Sequence, residues 1–137
     1  VVLLVYAGMR EEYCDAAGAR VLATRDLRLA RRITRDSLFR GHGADFTLDL
    51  WPHVCQSENK YIKAFKNRAD LVLDTSLSYE PGLWGNVLLP MMEQMAPDSP
   101  HAARLASLCA QLRPFTPIHQ DLVPESSILR EFIGWNS

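Results

Sequence analysis

The chain has 137 residues, 47% hydrophobic and 23% charged, with a formal net charge of −1. That is one domain's worth of a globular protein, and the near-neutral balance argues against a general nucleic-acid binder, because the basic residues are gathered locally and offset elsewhere. Cys14, Cys55 and Cys109 show no C-x-x-C spacing and fit reduced thiols of a cytoplasmic protein better than a disulfide framework. The longest apolar run, Val1 to Met9, is too short for a bilayer and has no basic segment before it, so neither a membrane span nor a signal peptide is expected.

Val1 to Tyr6 is continuously apolar and β-branched, which predicts a strand buried on both faces of a parallel sheet. A chain opening on such a strand without Met is expected to be part of something longer. Arg10 to Ala17 reads as a short helix closed by Gly18, with Tyr13 and Cys14 as packing residues. The next stretch, Arg25 to His42, dominates the sequence, holding six of the fifteen basic residues in eighteen positions. Thr24 is the expected N-cap, Asp26 places negative charge in the first turn, and Gly41 supplies the left-handed residue that ends the helix. Arg25, Arg28, Arg32 and Arg35 recur at helical spacing on one face, beside an apolar stripe of Leu29 and Ile33 extended by Ala30 and Leu38. Like charges stacked in this way cost a few tenths of a kcal/mol per pair. One reading is a solvated face whose arginines pair with Asp26, Asp36, Asp45 and Asp49. The regular one-sided spacing favours the other: guanidinium forks arranged for multiply charged oxygens.

Gly41-His42-Gly43 is a flexible joint, in which His42 is either a phosphate ligand or, on the residues alone, a turn residue. Phe46, Leu50 and Val54 continue a helical spacing broken or kinked at Pro52, with Trp51 as a core anchor. His42, His53 and Cys55 are too irregularly spaced for a zinc site, and no metal ligands are assigned. Glu58 to Phe65 is predicted helical, with Tyr61, Ile62 and Phe65 inward and Lys60, Lys63, Lys66 and Arg68 solvated. Ala69 to Thr75 is the second buried strand, and the two strands fit a βαβ crossover that contains the arginine helix. Pro81 to Met95 is a helix weakened by Gly82, Gly85 and Pro90. Another helix is expected to start with Ser99 as N-cap and Pro100 at its first position, burying Leu105, Leu108 and Leu112. Residues 115–124 are an irregular connector, and Ser126 to Ile133 a terminal helix that docks through Ile128, Leu129, Phe132 and Ile133.

The run RDLRLARRITRDSLFRGH, followed by ADFTLDLWPHVCQSENKYIKAF, ADLVLDT and the ending VPESSILREFIG, resembles the uridine kinase-like branch of the P-loop nucleoside kinases, in the phosphoribulokinase/uridine kinase family. Several motifs in the right order, over roughly residues 20 to 134, carry the resemblance. It implies a partial three-layer α/β P-loop kinase fold with parallel strands, a helical lid at about residues 25–65 and C-terminal helices. It also implies ATP-dependent, Mg²⁺-dependent 5′-phosphorylation of uridine or cytidine. On the family's pattern Arg32 contacts the substrate side, while Arg35 faces the nucleotide phosphates and Arg40 closes over them at the lid tip. Arg28 joins this phosphate-binding face, and His42 stands where many relatives carry a further arginine. The ending Gly134-Trp135-Asn136-Ser137 departs from the expected Gly-Gly-Ser tail.

No G-x-x-x-x-G-K-[ST] occurs in the chain, so the loop that cradles the β- and γ-phosphates and holds Mg²⁺ is absent from these residues. The resemblance therefore implies that residues 1–137 are the C-terminal part of one kinase domain and inactive alone. Its partners would be nucleoside and nucleotide small molecules, with no membrane and no nucleic acid, and self-association into a homo-oligomer is compatible. The alternative of a different class is a non-catalytic module using the arginine face for a phosphorylated ligand or an RNA backbone. RNA binding would add exposed aromatics for stacking, and the helix offers only Phe39.

Overall fold

The computed structural model describes residues 1–135. Its elements are β1 (Val5–Gly8), β2 (Tyr13–Cys14), β3 (Arg20–Leu22), α1 (Thr24–Arg40), α2 (Ala44–Tyr61), β4 (Leu71–Asp74), α3 (Glu80–Gln94), α4 (Ala102–Leu112) and α5 (Arg130–Ile133). Short 3₁₀ segments lie at Lys63–Arg68 and Gln120–Leu122. β1 and β4 pair in parallel with Val5 opposite Leu71 and Gly8 opposite Asp74, so the predicted mixed α/β fold with a parallel crossover is present. Aspartates pin both ends of the pair. Asp70 Oδ2 accepts from Leu4 N at 2.9 Å, and Asp74 Oδ1 accepts from Arg10 N at 3.0 Å and Ser76 N at 2.9 Å.

The sheet is not where the core lies. Leu71, Val72 and Leu73 are exposed along with Val1 to Val5, so the expected burial on both faces does not occur among the described residues. No helix of the described residues covers these strands. The core sits instead between helices, where α1 packs on α2, α3 and α5 and α3 packs on α4. Leu27, Leu29, Ala30 and Ile33 of α1 meet Leu83, Trp84 and Leu88 of α3 and Leu105, Leu108 and Leu112 of α4, all essentially fully buried. Each such side chain contributes about 1.5–3 kcal/mol on leaving water.

Several local expectations are corrected. Residues 10–17 form no helix: β2 and β3 make an antiparallel hairpin whose turn uses Gly18 at φ 83°. Tyr13 is buried there as expected, but Cys14 is exposed. Thr24 is the first helical residue, and the N-cap Ala23 makes no side-chain cap, so Asp26 alone serves the first turn. Leu38 is exposed and does not extend the apolar stripe. α2 runs through Pro52 without ending, and its inner face is Thr47, Leu48, Trp51 and Glu58; Phe46 and Leu50 are exposed and Val54 is half-buried. Tyr61, Ile62 and Phe65 also face solvent, two of them under the cations Lys60 and Arg68. α4 starts at Ala102, beyond the predicted Ser99 cap, although the Ser99 hydroxyl still accepts from the amide of His101 while donating to Asp45. The terminal helix is confined to Arg130–Ile133, with Leu129 buried and Ile128 exposed. Of the divergent ending, residues 136–137 lie outside the described residues.

Two contacts fix α3. Arg31 grips Glu80 bidentately, Nε to Oε1 and Nη2 to Oε2, both at 2.6 Å, and Trp84 Nε1 donates to Oε1 at 2.8 Å. Two residues after Glu80, a Cβ at Gly82 would stand 2.2 Å from the carbonyl oxygen of Thr116, while Gly82 O accepts from Ile118 N at 2.9 Å. The connector thus lies directly against the helix backbone, which explains a glycine inside α3. Removing the carboxylate in Glu80→Ala leaves Arg31 uncompensated in a site where the two side chains are 13% and 0% exposed, and is expected to cost about 3–5 kcal/mol in denaturant titration. Gly82→Ala forces overlap with a backbone atom, and a loss of about 1–3 kcal/mol is expected by the same measurement.

Candidate functional site

β1 and β4 run in parallel and end together at Gly8 and Asp74. Open α/β sheets bind ligands beyond the carboxyl ends of their strands, and a cleft of about 220 Å³ lies there. Its walls come from Tyr6 to Met9 and Thr75 at the strand ends, from Thr24, Arg25, Arg28 and Arg31 on the first two turns of α1, and from Glu58, Ile62 and Lys63. The strand-end backbone is fixed: Ser76 Oγ accepts from Arg10 N at 2.8 Å and Glu11 N at 2.9 Å, and donates to Asp74 Oδ1 at 2.7 Å. The Ser76 hydrogen bonds hold the Asp74 carboxyl below the usual aspartate range. Burial, with the neighbouring Glu11 adding to it, pushes the Tyr13 phenol well up, and its hydroxyl donates to Glu11 Oε2 at 3.2 Å, a neutral anchor at neutral pH.

Helical spacing puts Arg28, Arg32 and Arg35 on one side of α1, and the structure divides them. Arg28 lines the cleft and pairs with the buried Glu58, which also has Lys63 Nζ at 3.9 Å. Burial alone would raise the Glu58 carboxyl, but the Arg28 hydrogen bond and charge, with help from Lys63 and Arg25, hold it below the usual glutamate range. Arg25 donates from Nη2 to Asn59 Oδ1 at 2.8 Å. Further along, Arg32 Nε, Arg35 Nε and Arg40 Nη1 lie 3.5, 3.5 and 3.3 Å from the carboxylate of Asp36, which is 1% exposed. Thr47 Oγ1 of α2 donates to Asp36 Oδ2 at 3.0 Å. These arginine separations are too long for charge-assisted hydrogen bonds, which run about 2.7–2.9 Å. One carboxylate therefore gathers three cations by charge and leaves a net excess of two. His42 joins neither group through its ring, which stacks on Phe46 at 4.0 Å.

The arginines' acidic partners are Asp36, Glu58 and Glu80, of which the solvated-face reading named only Asp36. Asp26 instead takes Arg104 at 2.5 Å, Asp45 takes Ser99, and Asp49 takes His101 at 2.6 Å. Arg25, Arg31, Glu58 and Lys63 belong to the cleft although sequence reasoning assigned none of them a site. Arg25 was on the right face of α1. Lys63 reads as a solvated lysine, and Arg31 could be found only through Glu80, 49 positions away.

Because the folded-state carboxyl of Glu58 sits below its ordinary value, its pairing stabilises the fold at neutral pH and is lost as pH falls through the lower, folded value. The unfolding midpoint of the wild type is therefore expected to drop, as pH falls through and below the ordinary glutamate range, more steeply than that of Glu58→Gln. Parallel acid limbs in thermal melts would remove Glu58 from this role.

A model of the Phosphoribulokinase / Uridine kinase family matches residues 15–78. No curated protein and no solved structure matches the chain. The matched stretch contains β3, α1, α2 and β4, and with them every arginine of the face just described. The motifs and this match, over residues 15–78, are consistent with a uridine kinase-like domain.

Proposed function

We propose that residues 1–137 are the lid-bearing C-terminal part of one nucleoside kinase domain that transfers phosphate from ATP to the 5′-hydroxyl of uridine or cytidine. The observation that carries the reading is the gathering of Arg32, Arg35 and Arg40 about the buried Asp36, in a segment of a kinase family. In this reading α1 and α2 are the lid, Arg32 meets the substrate side, and Arg35 and Arg40 neutralise charge on the transferring phosphates. Arg28 adds positive potential toward the strand ends, and His42 has only its place at the joint. The localisation that fits is cytoplasmic; no helix of the described residues is long and apolar enough to cross a membrane.

The residues present fit a triphosphate and not its metal. Three guanidinium groups with a net excess of charge suit phosphate oxygens. The phosphate-cradling loop that would order Mg²⁺ does not occur in these residues, and the described ones contain no group of three possible metal ligands. Mg²⁺ and the loop would fix the triphosphate first, and the lid arginines act on a ligand already positioned. Residues 1–137 alone are accordingly inactive in this reading and hold polyphosphate only loosely.

Titration of inorganic triphosphate is expected to give a Kd on the order of 1 mM, weakening steeply with salt because exposed charges are screened over about 8 Å at physiological ionic strength. Arg32→Ala/Arg35→Ala is expected to bind at least about tenfold more weakly. Equal affinity of the two proteins would take the arginine face out of the mechanism, and ATP-dependent turnover of uridine by residues 1–137 would overturn the inactivity.

A further inference from the structure

Residues 59–69 carry Lys60, Lys63, Lys66 and Arg68 and no acid. Among the described residues Lys63 alone of the four reaches a carboxylate, Glu58 Oε1 at 3.9 Å. The other three lie over aromatic rings instead. Lys60 Nζ is 4.8 Å from the ring centroid of Tyr61, Arg68 Cζ is 5.4 Å from that of Phe65, and Lys66 Nζ is 5.4 Å from that of Tyr6 in β1. Tyr61 is 63% exposed and Phe65 50%. A ring attracts a cation without neutralising it, and a cation over one face leaves the other face open. Exposed ring faces beside unneutralised cations are what single-stranded nucleic acids bind, bases by stacking and phosphates by charge. The arginine helix offers only Phe39 for stacking; the end of α2 and the 3₁₀ segment after it supply the missing rings.

A duplex keeps its bases paired and stacked inside, so open rings serve only an unpaired strand. An anionic bilayer would also meet cations and rings, but it calls for an amphipathic helix with a continuous apolar side. Lys63–Arg68 is instead a 3₁₀ segment with one ring among three cations. We propose that this face binds single-stranded nucleic acid, its phosphates on Lys60, Lys66 and Arg68 and its unpaired bases stacked on Tyr61 and Phe65. The inference goes beyond the kinase reading and uses none of the residues gathered about Asp36.

The test is fluorescence anisotropy of the 137-residue protein with labelled oligothymidylate, oligouridylate and an abasic strand of equal phosphate count, each about ten nucleotides long. Both base-bearing strands are expected to bind about tenfold more tightly than the abasic one. Their ratio tells DNA from RNA as the preferred strand, and either preference supports the proposal. In Tyr61→Ala/Phe65→Ala, which removes only exposed rings, the margin over the abasic strand is expected to shrink to within about twofold. Lys66→Ala/Arg68→Ala is expected to weaken all three strands alike and to lower the slope of log K against log salt by about 1.4, from about 0.7 per cation. Equal binding of the abasic strand by the wild type, or no binding of any strand, overturns the proposal without needing any variant to fold. So does a base margin that survives in Tyr61→Ala/Phe65→Ala, or binding to phosphatidylserine vesicles that outcompetes every strand. Loss of strand binding in Arg32→Ala/Arg35→Ala would move the strand to the arginine face and overturn it too. Triphosphate binding that ignores that same change would be a failure of the kinase reading alone.

Discussion

The bidentate pair between Arg31 and Glu80 is the constraint on which the rest of the structure depends. A carboxylate with no solvent exposure cannot remain charged unless it is paired and hydrogen-bonded, and Glu80 receives two guanidinium donors and the indole N–H of Trp84. The same guanidinium lies over the ring of Phe132 at 5.4 Å. One side chain of α1 therefore reaches the first turn of α3, whose Glu80 also holds a core tryptophan, and the ring of Phe132 in α5. Rotating α1 by one residue would pull Arg31 out of this site and carry Leu27, Ala30 and Ile33 out of the core with it. The pair fixes which way α1 faces, and so fixes that Arg28, Arg32 and Arg35 point away from α3.

Six arginines on one helix repel one another, and the fold answers with acids from three places. Glu80 comes from α3, Glu58 from α2 and Asp36 from α1 itself. Each is buried, and each holds at least one guanidinium, so the acids determine where the cations stand. They do not cancel the charge: three carboxylates face six arginines and Lys63. Asp36 is the clearest case, because Thr47 occupies one of its oxygens from α2 while three arginines stay just beyond hydrogen-bonding distance. Their donors are held together but not consumed.

Much of this was legible in the sequence, and the failures share a cause. The course of α1, Gly41 as its left-handed stop, the parallel strand pair and the leucine face of α4 all follow from spacing and backbone chemistry that act over a few residues. The apolar strands looked buried because a continuous β-branched run normally has layers on both faces, and here the described helices pack on one another instead. The hairpin at residues 13–22 was hidden by helix-compatible residues, and only Gly18 at positive φ marks its turn. At the site, the arginine face was visible from periodicity alone. Glu58 and Glu80 were not, because an acid's partner 30 or 49 positions away leaves no local signal.

The family segment ends at residue 78, and the counter-charge for Arg31 begins two residues later at Glu80. Much of the apolar packing of α1 also lies beyond the matched stretch, in Leu83, Trp84, Leu88, Leu105, Leu108 and Leu129, while Leu22, Leu48 and Trp51 of the same core lie inside it. The matched stretch thus holds the cationic face together with its acids Asp36 and Glu58 and the packing of α2, while α3, α4 and α5 add Glu80 and the rest of the core. The residues after 78 therefore complete a support that Asp36, Thr47 and Glu58 begin inside the matched segment.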